Sequence, residues 1–173
     1  MSLANKKSKP TRRASKRKSE TPLGAYLGDV SKFSVLTPEQ EKSLAVEIVE
    51  RRVTCWKALL SYPPFVEAIV EVLGPKLEDD EVEDIPRAEL ATILTCSRAF
   101  RDRETKSNRE TFQLAQLALA EALADIDRDG KYADMLGADL EAVDANRREC
   151  VTLPVTFPPK GSRPFARYIQ RVR

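Results

Sequence analysis

Residues 21–50 read TPLGAYLGDVSKFSVLTPEQEKSLAVEIVE and contain the start signals of two consecutive helices. Thr21 can cap the first helix with its hydroxyl, and a proline follows at the first helical position, where a missing N–H costs nothing. The second start, Thr37-Pro38-Glu39-Gln40, adds an acid at the positive end of the helix dipole and a glutamine at the capping-box position. The stretch therefore predicts one helix from about residue 22 and a second one over residues 38–60.

Each of these two helices has one apolar face, because its apolar residues recur at helical spacing. Trp56, the only tryptophan, is predicted to anchor the core, and binding to a partner is the alternative role. The apolar face of the first helix consists of Leu23, Tyr26, Leu27 and Val30. That of the second consists of Ala45, Ile48, Val49, Val53, Trp56, Leu59 and Leu60.

Four further helices are predicted over residues 64–73, 86–100, 110–126 and 132–143. Gly74-Pro75 is expected to stop the first of them, and the acidic residues 77–84 are expected to form a linker. No alternating β-branched run long enough for a strand occurs before residue 150. The predicted core residues of these four helices are Phe65, Ile69, Val70, Leu73, Leu90, Ile93, Leu94, Ala99, Phe112, Ala115, Leu117 (at the edge), Leu119, Ala122, Leu123, Ile126, Met135, Leu136 and Leu140.

The predicted fold class is all-α, a small bundle of about five to six helices. Three regions are expected along the chain: a disordered basic arm over residues 1–20, a helical domain over 21–150, and a Pro-rich, basic C-terminal tail over 151–173.

The composition argues against several kinds of chemistry. Histidine is absent, which removes the commonest general base and the usual zinc ligand sets. Cys55, Cys96 and Cys150 are far apart and are predicted to be small buried thiols in a reducing compartment. We therefore expect neither an enzyme nor a bound metal or cofactor. No apolar run is long enough to span a membrane and no secretory signal is recognisable, so a cytoplasmic location is expected.

Charge is distributed unevenly along the chain. Residues 1–20 contain eight basic residues against Glu20, a net charge of +7, which leaves −5 for the other 153 residues of a chain whose total is +2. A basic arm on a mildly acidic body suits attraction to nucleic acid, because cations that meet phosphates release counterions. The alternative is a disordered, solubilising tail. The basic residues of the arm are Lys6, Lys7, Lys9, Arg12, Arg13, Lys16, Arg17 and Lys18.

Residues 125–130, DIDRDG, match the first half of a calcium-binding EF-hand loop. The second half does not match, because the twelfth position is Leu136 and not a bidentate glutamate. An acidic turn between two helices is the main interpretation, and cation binding by Asp125, Asp127 and Asp129 stays open.

The C-terminal segment 151–173 has no acidic residue, and its prolines preclude a helix until near its end. Aromatic residues alternate there with cations, a pattern that suits single-stranded nucleic acid. The alternative, which we favour, is a tail that packs on the body through its aromatics and exposes its arginines. The residues concerned are Phe157, Phe165, Tyr168, Lys160, Arg163, Arg167, Arg171 and Arg173.

The order and spacing of residues 21–50 resemble region 1.2 of the bacterial sigma factors of the sigma-70 class. The similar features are Thr21-Pro22-Leu23, Tyr26-Leu27, Asp29-Val30, Leu36-Thr37-Pro38-Glu39-Gln40-Glu41, and Leu44-Ala45 through Ile48 and Glu50. Ser61-Tyr62-Pro63 and Phe65-Val66-Glu67-Ala68-Ile69 are similar to the segment that follows in primary sigma factors. The resemblance extends over about residues 21–73, and the features of sigma regions 2 to 4 are not recognisable.

The resemblance implies a truncated, sigma-like protein in transcription initiation, with the RNA polymerase core and promoter DNA as partners. It also implies a DNA-facing surface, for which Tyr26, Leu27 and Lys32 are the predicted contacts beside the basic residues of the arm. Gly24 and Gly28 occupy positions that are basic in the family, which weakens the DNA contact more than the fold. The alternative is a helical regulator that binds RNA polymerase or a sigma factor without touching DNA.

Overall fold

The structure is a computed structural model that describes Leu23, Tyr26 and residues 36–159 and 161–173. Within residues 36–159 and 161–173 the helices are α1 (Pro38–Leu59), α2 (Pro63–Asp79), α3 (Arg87–Asp102), α4 (Lys106–Ile126), α5 (Lys131–Asp144) and α6 (Arg163–Val172), with a 3-10 turn at Arg148–Cys150. Residues 36–159 and 161–173 contain no strand, and the predicted all-α fold class is confirmed. The disordered arm expected over residues 1–20 lies outside the described residues.

Contacts within the chain separate a unit that ends at Gln40 from a larger compact unit, Glu41–Arg173. In the larger unit α2 packs against α3, and α3 packs against α4. The core between the helices is built mainly from leucine and aromatic side chains, and Trp56, which belongs to it, is only 1 % exposed. The predicted core role of Trp56 is therefore confirmed. In the described part of the chain, no helix combines the length and the apolar character that crossing a bilayer requires.

Helix α2 continues through the predicted stop at Gly74-Pro75 and ends at Asp79. A proline in a helix removes one hydrogen bond and crowds the preceding turn. That cost is offset here by burial, because Leu73 and Leu77, one on each side of the proline, are both fully buried. The predicted helix end was wrong, and the first residues of the predicted acidic linker belong to the helix.

Helix α4 begins four residues before its predicted start. Thr105 caps it, since its hydroxyl oxygen accepts a 3.1 Å hydrogen bond from the amide of Asn108.

The predicted core residue Ala99 is exposed, whereas Ser97 and Gln116 are buried. Gln116 is accommodated because its side-chain amide donates a hydrogen bond to the carbonyl of Lys57.

The cysteines are not the buried thiols that the sequence predicted. Cys55 and Cys150 are exposed, and Cys96 is half-buried. Composition does not determine which face of a helix a cysteine occupies, and Cys55 lies on the solvent side of α1 beside the buried Trp56.

The aromatic residues near the C-terminus pack on the body. Phe165 and Tyr168 of α6 are buried and form a cluster with Tyr62 and Phe65, with ring centroids 5.1 to 6.1 Å apart. The Tyr168 hydroxyl also donates a 2.7 Å hydrogen bond to the carbonyl of Leu59. These two rings are therefore not available to stack on nucleic-acid bases. Residues 151–173 belong to the same compact unit as the helices before them.

Candidate interaction surface

The N-terminal end of α1 has the capping box that its sequence predicts. The amide of Gln40 donates to the Thr37 hydroxyl oxygen at 3.3 Å, and the amide of Thr37 donates to the Gln40 side-chain oxygen at 3.0 Å. This pair satisfies one free amide at the helix start and ties the preceding residue to the helix. The start of α1 thus follows from local chemistry, as the capping box predicts.

The N-terminal half of α1 exposes apolar side chains to solvent. Leu44, Val46, Ile48 and Val49 are between 42 and 52 % exposed. Ile48 and Val49 lie eight and seven residues before Trp56, so they share its face of the helix. That face is buried at Trp56 and Leu59 but exposed two turns earlier. We call Leu44, Ala45, Ile48 and Val49 the α1 apolar face.

The apolar face predicted for this helix is therefore buried in its last turns, at Trp56 and Leu59, whereas Ala45, Ile48 and Val49 are exposed. The described hydrogen bonds from other helices reach only the C-terminal end of α1, where Gln116 and Tyr168 bond to the carbonyls of Lys57 and Leu59. An apolar helical face that is exposed to solvent is the kind of surface that another protein's groove or helix covers. The α1 apolar face is consequently a candidate protein-docking surface.

Of the predicted DNA-contact residues, the structure describes Tyr26 alone. Tyr26 and Leu23 are helical, three residues apart, and 64 and 65 % exposed. Both side chains are accessible to a partner. The other predicted contacts lie outside the described residues, namely Leu27, Lys32, Lys6, Lys7, Lys9, Arg12, Arg13, Lys16, Arg17 and Lys18.

A second exposed apolar side chain lies on α4 beside the end of α1. Leu114 is 67 % exposed at a cavity of about 540 Å³ that Lys57, Gln113 and Leu117 also line. Sequence reasoning missed Leu114, because it falls outside the apolar face of α4. The signal that marks it is a large apolar residue outside the buried face of an amphipathic helix.

The acidic turn between α4 and α5 has a structural role. Asp127 is buried, and its two carboxylate oxygens accept hydrogen bonds from the amides of Tyr132 and Ala133, each at 3.0 Å. Asp125 pairs with Arg128 at 3.2 Å. Among the residues that the structure describes, no three acidic or cysteine side chains form a group suited to a metal ion. Asp127 therefore caps the start of α5. This role agrees with the interpretation of residues 125–130 as an acidic turn between two helices.

A polar cluster links the end of α2 to the start of α5. Asp80 accepts hydrogen bonds from the Lys131 ammonium and the Tyr132 hydroxyl, both at 2.6 Å. The bond from Lys131, followed by that from Tyr132, lowers the pKa of Asp80. Burial, followed by the hydrogen bond to Asp80, raises the pKa of Tyr132 to about 12. The cluster thus favours a charged Asp80 and a neutral Tyr132.

This cluster predicts a loss of stability at alkaline pH. A tyrosine whose folded pKa lies above its unfolded value of about 10 stabilises the fold fully below pH 10, and the effect is lost as the pH rises toward the folded pKa. We expect the free energy of unfolding, measured by urea titration, to fall as the pH rises above about 10. Tyr132→Phe should make this fall less steep. An unchanged pH slope in the variant would show that Tyr132 ionises alike in both states.

Comparison with known families identifies the segment that carries the exposed face. Residues 22–50 match the family model described as Sigma-70 factor, region 1.2. No curated protein and no solved structure matches the chain. The match confirms the resemblance for this segment and links the chain to sigma factors and to transcription. The further similarity over residues 51–73 lies outside the match and stays a prediction.

Proposed function

We propose that this protein acts in transcription initiation by docking on the RNA polymerase core through its sigma-like segment. One observation carries the proposal: the α1 apolar face lies within residues 22–50, which match sigma region 1.2, and is exposed to solvent. Burial of Ile48 and Val49 against a partner would stabilise the complex by about 25 cal/mol per Å² of apolar surface removed from water. The protein then acts by binding, and we propose no catalytic activity for it.

Binding to promoter DNA is the second part of the proposal. Tyr26, which is exposed, Leu27 and Lys32 would contact the DNA near the initiation site, and the basic arm over residues 6–18 would add sequence-independent affinity. We expect the protein to work in the cytoplasm beside the transcription machinery.

A regulator that binds polymerase or a sigma factor without touching DNA is the alternative. Gly24 and Gly28 favour this alternative. They occupy positions that are basic in sigma region 1.2, and a glycine has no cation to pair with a DNA phosphate.

The docking surface is tested by capture of purified core polymerase on the immobilised full chain. The double variant Ile48→Glu, Val49→Glu should reduce capture at least tenfold, because burying an unpaired carboxylate at an interface costs several kcal/mol, on the order of 2–5. The matched control Ser43→Glu, Thr54→Glu adds the same charge on the opposite, exposed face of α1 and should retain capture. Equal capture by both variants would rule out the α1 apolar face as the docking surface.

A DNA-shift assay on the same chains separates the two versions of the proposal. If the protein contacts DNA, replacing the eight cations of the arm by glutamine should weaken binding and flatten its dependence on salt. Capture of polymerase without any DNA shift by the parent chain would favour the regulator.

A further inference from the structure

Helix α6 carries two faces of opposite character. Phe165, Tyr168 and Ile169 are buried. Arg163, Arg167 and Arg171 follow each other at intervals of four residues and are all exposed. Residues four apart lie above one another on a helix, so the three arginines form one ridge on the side away from the buried rings. We call these three residues the α6 arginine ridge.

The charge of the ridge is not compensated within the described chain. In most of the described ion pairs the cation is an arginine. Glu67, for example, pairs with both Arg98 and Arg101. At the end of α6 itself, Arg173 pairs with Asp144 at 3.0 Å. Among the described residues, no carboxylate lies within ion-pair distance of a ridge arginine. The segment 151–173 also has no acidic residue of its own.

The ridge stands on a rigid base. The Tyr168 hydroxyl donates to the Leu59 carbonyl at 2.7 Å, and the Phe165 ring lies 5.6 Å from that of Phe65. The backbone of α6 is thus held against the end of α1 and the start of α2. Only the arginine side chains must become ordered when a ligand binds, which keeps the entropic cost of binding low.

The spacing of the ridge suits a nucleic-acid backbone. At a rise of 1.5 Å per residue, successive ridge positions are about 6 Å apart. Phosphates of one strand follow each other about every 3.4 Å along the axis of a duplex, so every second phosphate is about 7 Å further on, which is the same scale. Guanidinium groups also bind phosphate oxygens in a bidentate manner.

We propose that the α6 arginine ridge is a binding site for the phosphate backbone of nucleic acid. The site consists of residues other than Tyr26 and the basic residues of the arm. It extends the proposed function by a second cationic contact but does not depend on docking through α1. Because Phe165 and Tyr168 are buried, the ridge reads charge and not bases, and its binding is independent of sequence.

The test is the salt dependence of binding to a labelled 20-base-pair duplex. We compare the full chain with Arg163→Gln, Arg167→Gln, Arg171→Gln, a triple variant that keeps helix propensity and leaves the buried face untouched. Each phosphate contact contributes about 0.9 to the slope of log K against log salt, so the variant should lower that slope by roughly 2–3. Coincident thermal melts of both chains establish that the fold is retained.

A matched control removes the same charge elsewhere on the body. Arg103→Gln, Lys106→Gln, Arg128→Gln replaces three exposed cations near the two ends of α4, and we expect it to leave the slope within about 0.5 of the parent value. If the ridge variant changes the slope no more than this control does, the proposal is overturned.

Capture of core polymerase distinguishes this proposal from the proposed function. The ridge variant should capture polymerase as the parent does, while its DNA slope falls. Loss of capture with an unchanged DNA slope would show that the ridge meets an acidic protein surface, and it would overturn the proposal. A parent chain that never captures polymerase, with the ridge effect on DNA intact, would refute the docking function alone.

Discussion

Replacement of Trp56 by alanine should lower the free energy of unfolding by about 3–5 kcal/mol, the range typical of a large aromatic residue truncated in a core. Trp56 is 1 % exposed and is the largest buried side chain of α1. The apolar surface that α1 buries comes from its last turns, since the N-terminal half of the helix is exposed. A cavity at Trp56 therefore removes a large share of what holds α1 to the body.

Urea denaturation followed by circular dichroism measures this effect, because the variant has no tryptophan left to report by fluorescence. The midpoint should fall at an unchanged slope, as expected for a loss of native contacts. Cys55→Ala, at the exposed neighbouring position, is the control and should change stability by less than about 0.5 kcal/mol. A Trp56 variant as stable as this control would mean that the ring is not packed as described. The variant should also bind polymerase more weakly, because the α1 apolar face loses its fixed direction.

The second large effect is expected for Asp139→Ala. Asp139 is buried, and its Oδ2 atom accepts hydrogen bonds from the amides of Thr152 and Leu153 at 3.1 and 2.9 Å and from the Thr152 hydroxyl. Without the carboxylate, the buried amide of Leu153 has no acceptor, and an unsatisfied buried donor costs about 1–3 kcal/mol. Together with the charge-assisted bonds to Thr152, the expected loss is about 2–4 kcal/mol.

Two variants test the role of Asp139. Asp139→Asn keeps an oxygen acceptor without the charge and should lose roughly half as much stability as the alanine variant. Glu141→Ala, at an exposed position of the same helix, should be nearly neutral. Amide exchange should accelerate at Thr152 and Leu153 in the alanine variant, because these residues begin the connection to α6. If all three variants unfold alike, the carboxylate does not hold this connection.

Local sequence determines the helical elements. Thr37 and Gln40 lie three residues apart in the chain. The hydrogen bonds of their side chains are enough to start α1 where the capping box predicts. The all-α class, the anchoring role of Trp56 and the sigma-like character of residues 22–50 are likewise readable from the sequence. Each depends on residues close together in the chain.

The tertiary structure decided which apolar faces are covered and which polar groups are buried. Ile48 and Trp56 lie on one apolar face of α1, yet Ile48 is exposed and Trp56 is buried, a difference that helical spacing does not reveal. Pro75 remains inside α2 because Leu73 and Leu77 are buried around it, and Asp139 is buried because residues 152 and 153 return to it. Capping and periodicity are short-range properties, whereas burial depends on which distant segment packs alongside, and that is determined only when the whole unit is assembled.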